Sequence, residues 1–206
     1  PSPHTPRSPA ASGAPRRSPG RPGGGRPVST RPGATRRVSS RDGDARPIAK
    51  GQLGKPVQFG YKAQVVDNDD GVVLDHTLHQ GNPADAPQLA PAVERVIART
   101  GRKPRTVTAD RGYGEASVDH ALQELGVRHV VIPRKGKPGK ARQAQEHRPA
   151  FRKHVKWRTG SEGRISSLKR GYGWDRTRID GTAGAQIWTG QGVFAHNLVK
   201  IGALAS

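Results

Sequence analysis

Cysteine and methionine are absent from this chain of 206 residues, and long apolar runs are absent as well. Without cysteine, the chain can form neither a disulfide framework nor a cysteine-based zinc site. No apolar run approaches the roughly 20 residues that a membrane-spanning helix requires. With cysteine-based sites and a membrane-spanning helix excluded, we look for the function in the charged and polar residues.

Acidic residues are scarce in this chain. Asp and Glu number 16 against 36 Lys and Arg, which gives a formal net charge of +20 and a pI of about 11.4. A charge of this size indicates a polyanionic partner, most often nucleic acid. The alternative is a soluble protein that is merely basic.

The first 41 residues contain no acid at all. They hold nine Arg and nine Pro, and Val28 and Val38 are their only Val, Ile, Leu, Phe, Trp or Tyr. Such a stretch cannot bury enough apolar surface to offset the entropy of ordering, so we predict a disordered Arg/Pro/Gly-rich tail over 1–41. It is either a phosphate-seeking arm or the product of GC-rich DNA read in an arbitrary frame. The folded part, 42–206, has 27 basic residues and all 16 acids.

Strand and helix patterns alternate through the folded part. They predict, in order, a β-hairpin, a helix, a strand, a helix, a strand and two helices, at 57–79, 86–100, 105–110, 115–126, 128–133, 161–170 and 183–204. Asp85 is the expected N-cap of the first helix. Asp42 and Asp44 fall in a loop without a strand around them. Strands that alternate with helices predict an α/β or α+β sheet domain.

Asp110 is the first candidate for chemistry. It stands at the carboxyl end of a predicted strand, "RTVTAD", where functional side chains of α/β sheets gather. A hard cation such as Mg²⁺ takes carboxylate oxygens. The competing interpretation of "ADRGYG" is a capped turn between a strand and a helix.

Glu162 is the second candidate, in the segment "KHVKWRTGSEGRISSLKRGYGWDRTR". If 161–170 is helical, Arg158, Glu162 and Lys169 share one face. A carboxylate flanked by cations suits phosphodiester chemistry, because carboxylates hold metal and cations neutralise phosphates. The alternative is an ordinary helix with a few ion pairs four residues apart. Trp157 either stacks on bases or packs in the core.

The spacing of Arg158, Glu162 and Lys169 resembles the signature of bacterial insertion-sequence DDE transposases. "VTADRGYG" is similar to the segment around their second catalytic aspartate, and "DARPIAKGQLGKPVQFGYKAQVV" and "GNPADAPQLAPAVERV" agree in the same order. The likeness covers about residues 42–203. It departs from the family pattern at Val155, where the family usually has Tyr.

The resemblance implies a ribonuclease-H-like mixed sheet with flanking helices, here without its first central strand. It implies that Asp110 and Glu162 are catalytic and bind metal in a site for two Mg²⁺ ions. No residue matches the first catalytic Asp, so we expect a truncated, inactive part of a transposase catalytic domain over 42–206. The residues expected to contact DNA are Arg158, Lys169, Trp157, Arg164, Lys135 and Lys137.

The partner implied by the resemblance is transposon-end DNA in the bacterial cytoplasm, at the nucleoid. A second copy or a full-length transposase is a possible protein partner. Two other functions stay open. One is a non-catalytic DNA-binding protein that uses the Arg-rich arm and the basic loop 134–142. The other is a truncated regulator that competes for transposon ends.

Overall fold

The computed structural model describes the backbone of residues 39, 41–52 and 55–206. It describes their side chains too, except at 49–52, 55–56, 161 and 162. The prediction of a disordered tail falls almost entirely outside these residues, and it stays a prediction.

Three antiparallel strands form the first sheet, in the order β1, β2, β3. They are β1 Arg46–Gln52, β2 Lys55–Asp67 and β3 Val73–Gln80. The hairpin predicted at 57–79 is confirmed as β2 and β3, which pair from Tyr61↔Gln80 to Asp67↔Val73. Asp42 and Asp44 lie in a loop as expected, but the expectation of no strand around them was wrong. β1 begins at Arg46 and pairs with the first half of β2, and Pro47 fits there because β1 is an edge strand.

The remaining elements alternate as predicted up to the second sheet. In chain order they are α1 Ala86–Thr100, β4 Thr106–Thr108, a 3₁₀ turn at Arg111–Tyr113, α2 Ala116–Glu124 and β5 His129–Val131. Strands β4 and β5 pair in parallel, with Thr106 opposite His129. Gly101 ends α1 with a φ of 67°, a conformation that costs glycine little.

The main core lies between α1, α2 and the parallel strands. Leu89 and Val93 of α1 meet Leu122 of α2, and Val130 and Ile132 fill the space beneath them. These side chains are at most 9% exposed. The apolar spacing in the sequence produces this core, and the core fixes the end of β4 in place.

Three further helices complete the described chain: α3 Lys140–Glu146, α4 Pro149–Gly171 and α5 Gly181–Ala205. Helix α4 is much longer than the predicted 161–170, and the predicted basic loop becomes helical at Lys140. Gly160 and Gly163 lower helix propensity. Packing overrides them, because Phe151 and Leu168 are buried on the inner side of α4.

The architecture is mixed α/β, as the sequence predicts. Within the described residues no strand joins the two sheets: β2 pairs only with β1 and β3, and β4 only with β5. Helix α4 contacts both β4 and β5. No helix in the described part is long and apolar enough to cross a membrane.

Candidate functional site

Asp110 lies two residues beyond β4, and its side chain is half exposed. One carboxylate oxygen, Oδ1, accepts a hydrogen bond of 2.8 Å from the backbone N–H of Gly112. Asp110 therefore caps the following 3₁₀ turn, as the structural interpretation predicts. The other oxygen, Oδ2, is turned towards α4, so the same side chain keeps an accessible carboxylate oxygen.

The glycines of "RGYG" hold this turn close to its neighbours. A Cβ atom on Gly112 would lie 2.9 Å from Asp110 Oδ1, and one on Gly114 would lie 1.9 Å from the carbonyl oxygen of Pro133. The backbone N–H of Lys135 also donates to the carbonyl of Gly114 at 2.8 Å. The turn is thus fixed to the segment after β5, and Asp110 is fixed with it.

Arg158 of α4 faces Asp110 across the site. Its Nη1 atom lies 3.9 Å from Asp110 Oδ2. The segment after β4 and helix α4 therefore meet at these two predicted site residues. Glu162 lies in α4 one turn beyond Arg158. Its side chain is outside the described part of the chain.

A cavity of about 530 Å³ lies between β2, β4 and α4. Val65, Val107 and Ile165 give it an apolar lining, and Asp110 and Arg158 also border it. It occupies the space between the two sheets, which no described strand fills. The site residues therefore sit beside an apolar groove.

Comparison with known proteins adds the family. A family model described as "Transposase DDE domain" matches residues 30–198. The chain belongs to this family. No curated protein and no solved structure gives a significant match. The DDE domain is ribonuclease-H-like, which agrees with the mixed α/β architecture.

Tyr113 of the DDE domain borders the same cavity. Its hydroxyl accepts a hydrogen bond of 3.4 Å from Nε2 of Gln64. Burial, reinforced by the negative charges of Asp85 and Asp110, raises the pKa of Tyr113 to about 12. The phenol therefore stays neutral at physiological pH and keeps a proton to donate near the site.

Arg164 of the DDE domain makes contacts within the protein. Its guanidinium forms an ion pair with Asp67 at the end of β2 and lies 5.3 Å from the ring centroid of Trp157. Burial lowers the pKa of Arg164. The predicted DNA contacts of Arg164 and Trp157 stay predictions, but both side chains have structural partners. The turn residues of "DNDDG" give no local sign that Asp67 pairs with Arg164.

Acidic residues of neighbouring segments neutralise most of the charge of the basic loop 134–142. Arg134 and Arg142 both reach Asp119, at 2.8 and 3.2 Å, and Arg142 also meets Glu146 at 3.0 Å. Lys135 lies 3.3 Å from Glu115. Lys137 is exposed. The loop thus offers less free positive charge than its sequence suggests.

The exposed cations of α4 are the larger basic surface. The helix holds seven Lys and Arg and a single acid, Glu162. Five of these cations are exposed: Arg152, Lys153, Lys156, Lys169 and Arg170. The predicted DNA contact Lys169 is among them, in the last turn.

The family typically uses divalent metal, and Asp110 has the chemistry of one hard oxygen ligand. The part of the chain whose side chains are described contains no group of three His, Cys, Asp or Glu that could hold an ion. The described side chains therefore do not build a two-metal site by themselves.

Proposed function

We propose that these 206 residues bind DNA along α4 and do not cleave it unaided. Membership of the transposase DDE family gives the chain a role related to transposition. The observation that carries the proposal is the excess of exposed cations on α4, the helix that also brings Arg158 to Asp110.

The dimensions of α4 suit a DNA backbone. Its 23 residues extend over about 34 Å, and duplex DNA carries one negative charge per roughly 1.7 Å of axis. Exposed Lys and Arg on such a length can neutralise several phosphates at once and release their counterions. Arg158 lies on the same helix and would bring the phosphates towards Asp110.

For metal chemistry we propose only that the chain binds an ion. Asp110 and Glu162 would share one Mg²⁺ ion near the end of β4, with carboxylate oxygens as ligands. Two-metal cleavage needs further ligands that hold both ions at once. The described side chains contain no group of three metal-binding residues, and no residue matches the first catalytic Asp of the family, so we infer metal binding without strand cleavage. Transposon ends and a location at the bacterial nucleoid remain part of this proposal.

The competing function is a non-catalytic DNA-binding protein in which the basic loop and the Arg-rich arm make the contacts. The ion pairs of Arg134 and Arg142 weigh against the loop, because their charges are already met inside the protein. A truncated regulator of transposition would share the α4 surface, so it is one use of the proposed binding activity.

Charge reversal on α4 tests the proposal. We expect Lys153→Glu with Lys156→Glu to weaken duplex binding at least about tenfold and to flatten the salt dependence by about two units of slope, since each phosphate contact contributes about one. Fluorescence anisotropy over a salt series measures both quantities. The matched control is Arg102→Glu with Arg128→Glu, which replaces two exposed arginines. They precede β4 and β5, at the strand ends away from Asp110.

Equal losses in the two double variants would contradict the assignment to α4 and indicate diffuse attraction to the whole charge. The same preparations are incubated with supercoiled plasmid and Mg²⁺. Nicking by the wild type that Glu162→Gln abolishes would overturn the claim that the chain does not cleave DNA.

A further inference from the structure

Helix α5 is apolar on two opposite sides, and only one of them is packed within this chain. The inner side contacts β3 and α4 and buries Ala185, Val193 and His196. The outer side leaves large apolar side chains in water. A helix that is apolar all round belongs in an interior, and no element among the described residues covers the outer side.

The outer apolar residues follow a seven-residue repeat. Ile187, Phe194 and Ile201 are seven residues apart, and Leu198 and Ala205 are also seven apart. The two rows interleave at spacings of four and three, which is the seam by which two helices pack in a coiled coil. We call these residues, together with Gln191, the α5 seam.

Charge is absent from the α5 seam. Between Gly181 and Ala205 the only Lys, Arg, Asp or Glu is Lys200. Its Nζ atom lies on the inner side, near Gly71. In a chain of net charge +20, most surfaces of two copies repel each other. The α5 seam is a surface where two copies can meet without placing like charges opposite each other.

The exposed area is close to what a dimer needs. Exposure is 56% for Ile187, 65% for Phe194, 55% for Leu198, 53% for Ile201 and 58% for the adjacent Leu204. Together these side chains present on the order of 600 Å² per chain, against about 800 Å² per partner in a standard interface. A twofold axis lets one patch cover itself.

We propose that the α5 seam is a dimerisation surface whose partner is the α5 seam of a second copy. Ala195 and Gly202 are exposed and flank the seam with little bulk, so the two helices can approach closely. Gln191 is the polar position in the seam. A polar residue at such a position lowers affinity while fixing the register of the helices. This inference does not depend on DNA binding or on metal.

Sedimentation velocity of the whole chain in high salt, which screens its charge, tests the dimer. We expect a reversible equilibrium between monomer and dimer. Phe194→Asp should weaken dimerisation at least about 30-fold, the effect of a central interface residue. The matched control is Phe59→Asp, the same change at a phenylalanine of β2 that is 54% exposed, and it should leave the equilibrium unchanged.

A variant of opposite sign guards against misfolding as the explanation. Gln191→Leu should tighten the dimer about tenfold, because it removes the polar residue from the seam. Circular dichroism checks that each variant is folded, and Leu198→Asp replaces Phe194→Asp if the latter is not. A wild type that stays monomeric at every concentration, open-ended oligomers, or equal effects of Phe194→Asp and Phe59→Asp would overturn the proposal.

Discussion

Asp75 in β3 and Asp110 after β4 both face arginine side chains, but their surroundings differ. The Asp75 side chain is 1% exposed, and Arg95 and Arg99 reach its two oxygens at 2.7 and 2.6 Å. The Asp110 side chain is 49% exposed, and Arg158 stands 3.9 Å from it. One carboxylate is enclosed by its partners, whereas the other is only approached by one.

The difference in burial indicates a structural role for Asp75 and a candidate binding role for Asp110. A buried carboxylate needs both cations, since an unpaired charge in the interior is costly. Its oxygens are then fully used and have no room for a ligand. Asp110 uses one oxygen to cap a turn and leaves the other near solvent. Of these two acids, only Asp110 retains the capacity to bind an ion from outside.

The largest effect that we expect on stability comes from Asp75→Asn. Removing the buried charge leaves Arg95 and Arg99 without their partner and should cost about 2–3 kcal/mol, somewhat below the usual range because both arginines are partly exposed. Urea unfolding measures the change. Asp110→Asn is the control and should stay within about 0.5 kcal/mol. Similar losses in the two variants would remove the distinction between the two carboxylates.

Two arginines of α4 allow a second comparison of the same kind. Arg164→Met should destabilise the fold by about 2 kcal/mol, because Asp67, which is 14% exposed, loses its ion pair. Arg158→Met should cost less than about 1 kcal/mol, since Asp110 can be hydrated. Thermal unfolding of both variants checks the order. A larger loss for Arg158→Met would make Arg158 the structural residue and contradict its place in the site.

The smallest effect is a pH dependence at His76, which follows Asp75 in the chain. Burial lowers the pKa of His76 below 6.5, against the opposing influence of Asp75. The unfolded chain therefore binds a proton first, so stability should fall as the pH drops below about 6.5. Unfolding at a series of pH values should show a shallower fall for His76→Gln. Identical pH profiles would show that His76 does not contribute.

Helix and strand positions were predicted correctly from the sequence where local signals and packing agree. The α1 helix begins after Asp85 and ends at Gly101, as expected. The prediction of Asp85 as the N-cap was wrong, because its side chain makes no capping hydrogen bond. It forms an ion pair with Lys62 at 2.7 Å instead. Residue type marks the boundary of a helix, whereas a long-range partner decides which bond the side chain makes.

Long-range contacts also explain what the sequence did not reveal. Strand β1 contains Pro47 and Gly51, and it forms because β2 supplies its hydrogen-bonding partner. The pairing of Asp67 with Arg164 joins residues almost a hundred positions apart, and no local pattern indicates it. The resemblance to DDE transposases assigned Asp110 to metal and Arg158 to phosphates, and it did not predict the contact between these two side chains.

Calorimetric titration with Mn²⁺ tests most directly whether Asp110 is a metal-binding carboxylate in addition to a turn cap. We expect the wild type to bind Mn²⁺ and Asp110→Asn to weaken binding at least about tenfold, as even outer-shell changes around a metal do. Asp75→Asn, measured under conditions where it is folded, should bind like the wild type. Metal binding that Asp110→Asn leaves unchanged would show that Asp110 is not a metal ligand and favour a non-catalytic DNA-binding protein.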